Sequence, residues 1–143
     1  MKCEFCDESE FEGRTVFENK TVRAFLTKTP IIPGHTLIIP KRHAETVFDL
    51  TDLELANLFA VTKKITNALT TSCGAKGFHY ALNQGEIAGQ TVPHMHLHIV
   101  PRNEGDSGIV DYEPRKFLYR PDSRAGSPQE ELAQTAALIK QSL

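Results

Sequence analysis

Cysteine is scarce in this chain of 143 residues, occurring three times, an odd number. A secreted disulfide framework shows an even set of four or more, so the sequence is not of that kind. Long apolar runs are missing too, and none approaches the ~20 residues a membrane helix needs. The opening Met1-Lys2-Cys3-Glu4-Phe5-Cys6 has no apolar signal-peptide core. Neither charge sign dominates: 16 basic and 18 acidic side chains give a formal net charge of -2. That balance excludes a generally basic protein that coats a nucleic-acid polymer, while leaving room for a small anion pocket. There is no internal repeat and no low-complexity tract. These absences predict a soluble, cytoplasmic protein with no membrane partner.

Apolar residues make up 40% and charged residues 24%, within the globular range. A domain of this size buries roughly 68–70% of its unfolded surface, so residues 1–143 read as a single domain. Residues 15–18 and 22–26 are short β-rich runs around a tight Asn19-Lys20-Thr21 turn. Pro30, Pro33 and Gly34 punctuate a turn into a strand over 35–39. Thr51-Asp52-Leu53-Glu54 matches a capping box, and Leu55, Leu58, Phe59, Thr62, Ile65, Thr66 and Leu69 follow at helical spacing. Gly74 or Gly77 ends that helix, and Cys73 beside it reads as a small structural residue. Strands are expected over 78–82 and 92–100, joined by a glycine-bearing loop over 83–90. A long loop over 101–126 precedes a second helix over 127–142, with Ser127 as N-cap and Pro128 at the first helical position. The elements lack βαβ alternation, so the fold class is α+β.

The chemistry concentrates in one run, His94-Met95-His96-Leu97-His98. Strand periodicity places the three histidines on one face and Met95, Leu97 and Ile99 on the other. Nothing in sheet stability asks for three adjacent imidazoles. They suit either a metal site, since His-x-His on a strand can hold zinc, or nucleophilic catalysis by a neutral imidazole. Spacing alone leaves both open.

The flanks add more. Gly89-Gln90-Thr91-Val92-Pro93-His94-Met95-His96-Leu97-His98-Ile99-Val100 closely resembles the signature of the histidine triad (HIT) family of nucleotide hydrolases and transferases. Pro33-Gly34-His35-Thr36-Leu37-Ile38-Ile39-Pro40-Lys41-Arg42-His43 resembles that family's second recognisable segment. The resemblance runs from about Cys3 to Arg102. It implies an antiparallel sheet of about five strands with a long helix and a C-terminal helix, assembled as a homodimer in which the long helix contributes to the interface. It implies cleavage of an AMP-containing nucleotide at the α-phosphorus, with His96 as nucleophile and His94 and His98 flanking it. It puts Asn83, Gly89, Gln90 and Thr91 near the phosphates, His35 near the ribose, and Phe25, Leu26 and Thr27 along the base pocket. No organic cofactor is implied. Arg102, Arg115, Lys116 and Arg120 are candidates to meet a polyphosphate.

Histidine at the third triad position, His98, looks like the hydrolases of the family rather than its transferases. Thr29-Pro30-Ile31-Ile32-Pro33-Gly34-His35 and the Gly-Gln-Thr-Val stretch look most like the fragile histidine triad branch, which splits dinucleoside polyphosphates such as diadenosine tetraphosphate and triphosphate. Asn83 departs from that branch, which has glutamine there, and keeps adenosine phosphoramidate hydrolysis open. Some relatives also complete an N-terminal Cys-x-x-Cys with two histidines. By that likeness Cys3, Cys6, His43 and His94 form a structural zinc site tying the N-terminus to the triad. Two further readings remain: a three-histidine metallohydrolase with one catalytic zinc, and a nucleotide-binding module with slow turnover.

Overall fold

A computed structural model describes residues 2–106 and 125–143. Five strands form one antiparallel sheet: β1 (Thr15–Glu18), β2 (Val22–Leu26), β3 (Thr36–Pro40), β4 (Gly77–Leu82) and β5 (Leu97–Arg102). Their spatial order is β1-β2-β3-β5-β4, which leaves β1 and β4 at the edges among the described residues. Two helices, α1 (Asp52–Cys73) and α2 (Gln129–Gln141), pack on the sheet. The expected α+β architecture is what the chain adopts. No helix among the described residues is long and apolar enough to cross a membrane.

Period-2 alternation sorts the sheet into two faces. Ala24 and Leu26 of β2, Ile38 of β3, and Leu97 and Ile99 of β5 join Leu58, Ile65, Leu69 and Ile139 in the core under the helices. Their neighbours Phe25, Leu37 and Ile39 turn to the other face, where Cys3, Phe5, Phe11 and Val92 cover them. Each fully buried aliphatic side chain there contributes roughly 1.5–3 kcal/mol. The N-terminal 3-10 turns Glu4–Cys6 and Glu8–Phe11 are held on that second face by Arg23, which pairs with Glu8 at 2.6 Å and Glu18 at 2.8 Å. Its guanidinium also stands over the Phe11 ring, 4.2 Å from the centroid.

Local signals account for the boundaries. Asn19 Oδ1 accepts from the Thr21 and Val22 amides, closing the β1–β2 turn. Thr51 caps α1 by accepting from the Glu54 amide, and Glu54 accepts in return from the Thr51 amide. Gly74 ends the helix with φ +62°, a left-handed conformation that glycine adopts without a Cβ penalty.

Three expectations need correction. The triad strand begins at Leu97, not residue 92, because Pro93 has no amide to donate and the Met95 amide donates to Ala44 in a loop. The buried stripe of α1 runs through Leu58, Val61, Thr62, Ile65, Ala68 and Leu69, leaving Phe59 59% exposed. The second helix starts at Gln129 rather than at Pro128, and Pro128 occupies the N-cap. Ser127 makes no cap bond there; its amide donates to Lys28 O instead. Most of the expected 101–126 loop, including Arg115, Lys116 and Arg120, lies outside the described residues.

Candidate active site

The extended stretch before β5 preserves the alternation even without ladder bonds. Met95, Leu97 and Ile99 enter the helix-side core, while the His96 and His98 rings stand 5.1 Å apart on the opposite face. They line a cavity together with Phe5, Phe25, Leu37, Val92, Gly89 and Thr91. Glu4, Glu10, Arg14, Thr27, Lys28 and Thr29 complete its wall.

Hydrogen bonds fix what each imidazole offers. His96 Nδ1–H donates to the His94 carbonyl at 2.8 Å, so a neutral His96 keeps its Nε2 lone pair. Burial pushes the His96 pKa below its ordinary value, partly opposed by that same bond, and so favours the neutral ring. His98 is set differently. The Ile31 amide donates to His35 Nδ1 at 3.1 Å, which leaves the proton on His35 Nε2 to donate to His98 Nδ1 at 2.9 Å. With Nδ1 accepting, neutral His98 carries its proton on Nε2. A lone-pair nitrogen and a donor nitrogen therefore stand side by side, the pairing that attack on a phosphorus and stabilisation of its oxygens require.

His94 faces elsewhere. Its Nε2–H donates to Pro40 O at 2.8 Å, turning the Nδ1 lone pair toward Cys3 Sγ at 3.5 Å and Cys6 Sγ at 3.7 Å. His43 Nδ1 lies 3.3 Å from Cys6 Sγ. All four ligand atoms of Cys3, Cys6, His43 and His94 fall within 4.8 Å of one another. Tetrahedral zinc, with bonds of about 2.3 Å to sulfur and 2.0 Å to nitrogen, sets S···N edges of about 3.5 Å. The S···N distances of 3.3, 3.5 and 3.7 Å match that edge, so the donor set fits zinc. Burial, with Cys3 beside it, raises the Cys6 pKa, so without a cation this thiol holds its proton. Zinc binding would displace that proton.

The other expected site residues divide. Phe25, Thr27, Gly89 and Thr91 line the cavity. Leu26 does not: strand alternation sends it into the core under the helices. His35 is 1% exposed and stands behind His98 rather than in the cavity wall. The Gln90 side chain braces the loop, donating to Glu45 O and Val92 O and accepting from the Gly85 amide. Asn83 Nδ2 donates to Gly89 O at 3.5 Å, placing it behind the glycine turn. Arg102 is held in a bidentate pair with Asp106 at 2.8 and 2.7 Å.

Sequence reading missed Phe5, whose ring stands edge-on to His96 with centroids 5.5 Å apart, and it missed Arg14 and Glu10. Phe5 carries a signal in hindsight, an apolar residue inside a Cys-x-x-Cys. Glu10 and Arg14 carry none, because only the folded chain brings the turn Glu8–Phe11 and the residue before β1 to the cavity.

The HIT domain family matches residues 8–105. An asymmetrical bis(5'-nucleosyl)-tetraphosphatase of Schizosaccharomyces pombe is 39% identical over 94 residues, covering 66% of this chain and 52% of that protein. The crystal structure of a hypothetical histidine triad nucleotide-binding protein from Sulfolobus tokodaii superposes with a TM-score of 0.81 at 32% identity, covering 98% of this chain and 91% of that one. A Zn-bound histidine triad family protein from Mycobacterium smegmatis does so with a TM-score of 0.74 at 31% identity, covering 99% and 95%. The family match spans most of the chain and includes the run that carries the paired imidazoles, so this protein belongs to the histidine triad family.

Proposed function

We propose that the protein is a nucleotide hydrolase that cleaves AMP-containing substrates, dinucleoside polyphosphates foremost, at the α-phosphorus through a nucleotidyl-His96 intermediate. The observation that carries this reading is the His96 Nδ1–H bond to the His94 carbonyl, which holds the buried ring with its Nε2 lone pair available. Nε2 attacks phosphorus, forming a P–N bond as the bond to the leaving group breaks and its electron pair departs. The His98 Nε2–H and the backbone around Gly89 and Thr91 stabilise charge on the phosphoryl oxygens. Water then cleaves the P–N bond and releases the nucleoside monophosphate.

The chain spans about half the length of the fission-yeast tetraphosphatase, and that likeness supports the substrate class without fixing the leaving group. Asn83, behind the glycine turn, keeps adenosine phosphoramidate as the second substrate to test. The three-histidine metallohydrolase loses ground, because both His94 nitrogens are engaged away from His96 and His98. A slow nucleotide-binding module remains the contrasting outcome.

Zinc held by Cys3, Cys6, His43 and His94 would act structurally. It would fix the His94 backbone, whose carbonyl orients His96. We also place a homodimer interface on α1 and the β4 edge, where Phe59 and Tyr80 are exposed and the Tyr80 hydroxyl meets Thr66 Oγ1 at 2.9 Å. The functional test is release of AMP from diadenosine tetraphosphate, diadenosine triphosphate and an adenosine phosphoramidate, with and without chelator. Turnover that survives chelation and disappears in His96→Ala supports the hydrolase. Turnover retained by His96→Ala removes it.

A further inference from the structure

Glu10 is among the charged cavity residues that the proposed chemistry leaves unused. It sits in the 3-10 turn Glu8–Phe11, well away from the triad in sequence, and lines the same cavity as His96 and His98. Its carboxylate is held asymmetrically. Oε2 accepts from the Lys28 ammonium and lies 3.9 Å from the Arg14 guanidinium, while Oε1 has no hydrogen-bond partner among the described residues. Arg14 anchors the turn from beneath. Its guanidinium donates to Leu26 O at 2.7 Å and to the Glu10 carbonyl, and lies 5.4 Å from the centroid of the Phe25 ring. These bonds fix the backbone that carries the carboxylate.

A nucleotide is chemically polarised along its length. Its phosphate is anionic and belongs with the His96 and His98 imidazoles that line the cavity. A carboxylate would repel it, so Glu10 must serve a neutral, hydrogen-donating part of the ligand. The flat base matches the aromatic wall, where Phe5 and Phe25 meet edge-on with centroids 5.2 Å apart. The ribose then remains, and its 2'- and 3'-hydroxyls are two adjacent donors. A carboxylate already neutralised on one oxygen by lysine accepts them with charge-assisted bonds and little desolvation penalty.

We infer that Glu10 is a specificity-determining residue that accepts hydrogen bonds from the ribose diol, making the site selective for ribonucleotides over deoxyribonucleotides. The inference rests on the nucleotide reading of the site but not on its covalent step. Loss of one charge-assisted hydrogen bond weakens binding about 10- to 100-fold. Titration calorimetry of the full chain with AMP, 2'-deoxy-AMP, 3'-deoxy-AMP and IMP reads this directly. Wild type should prefer AMP over each deoxy form by about that factor, and Glu10→Ala should bring the three within about twofold, with the AMP/IMP ratio unchanged. Glu10→Gln, which keeps the shape and one acceptor, should give an intermediate preference. It carries the test if the alanine variant does not fold.

A ribose preference that survives in folded Glu10→Ala, or that is undiminished in folded Glu10→Gln, overturns the assignment. So does wild type with no preference, or an effect that appears in the AMP/IMP ratio, which would move Glu10 to the base. The two readings fail separately. AMP binding with the expected ribose preference but no adduct on His96 removes the covalent step and leaves Glu10 in place. An adduct with unaltered ribose preference removes the Glu10 assignment alone.

Discussion

His35 Nε2 donates to His98 Nδ1 across 2.9 Å, from a ring that is 1% exposed. The bond dictates which nitrogen of His98 carries its proton, because the Ile31 amide occupies the other side of His35. His35 is thus a positioning residue, acting on the reaction through His98. His35→Phe keeps most of the volume and removes the donor. Turnover should fall about 10- to 100-fold, the usual cost of losing such a supporting bond, while KM changes little. Equal turnover by wild type and a folded His35→Phe would show that His98 needs no such orientation.

The fold and the triad were legible because alternation and capping are local. Met95, Leu97 and Ile99 go to the core whether or not residues 92–96 pair with a neighbouring strand. The strand start was not legible, because it depends on where the Met95 amide finds Ala44. Leu26 lies away from the cavity because strand alternation sends it and Phe25 to opposite faces of β2. The relation of His35 to His98 and the approach of Glu10 cross 63 and many more residues of chain topology than spacing can encode.

Loss of zinc should be measurable without any activity assay. Wild type should carry about one zinc per chain, and the Cys3→Ser, Cys6→Ser double variant none, because two of four tetrahedral ligands are gone. The variant should also melt at lower temperature, since metal binding is coupled to folding. Metal analysis that finds the same zinc content in both proteins would contradict the assignment of this cluster.

Gly34 has φ +96°, and a Cβ there would lie 3.1 Å from Pro101 Cγ and 3.2 Å from both Cys73 Sγ and Leu69 Cδ2. Gly34→Ala combines a left-handed backbone with crowding, and should destabilise the protein by about 1–3 kcal/mol in urea unfolding. A change below a few tenths would mean the turn relaxes without cost. Cys73→Ala, which opens space at the same point, should recover part of the loss.

Acid sensitivity should trace to Glu18. Hydrogen bonds from Lys41 and then Arg23 hold its carboxyl down to about 2, against an ordinary value of 4.5. The unfolded chain takes up the proton more readily, so this contribution is complete above pH 4.5 and lost as pH falls toward about 2. Its side chain is 46% exposed, and solvent screening limits the contribution to about 1 kcal/mol or less. Glu18→Gln should therefore be less stable than wild type at pH 7 and converge with it near pH 2. A constant difference across that range would contradict the sign.

Phe59 and Tyr80 are 59% and 51% exposed on α1 and the edge strand β4. If they form the homodimer interface, Phe59→Glu should convert a dimer to a monomer in light scattering, with the circular dichroism spectrum unchanged. A variant that stays dimeric would place the interface elsewhere.

The most direct measurement is intact-mass analysis of protein quenched in acid during turnover of diadenosine tetraphosphate, with wild type and His96→Ala side by side. The expected result is an added adenylyl mass on wild type, mapped to the peptide containing His96 and absent from the variant. Efficient release of AMP with no adduct at any quench time, or an adduct that persists in His96→Ala, would contradict covalent catalysis at His96.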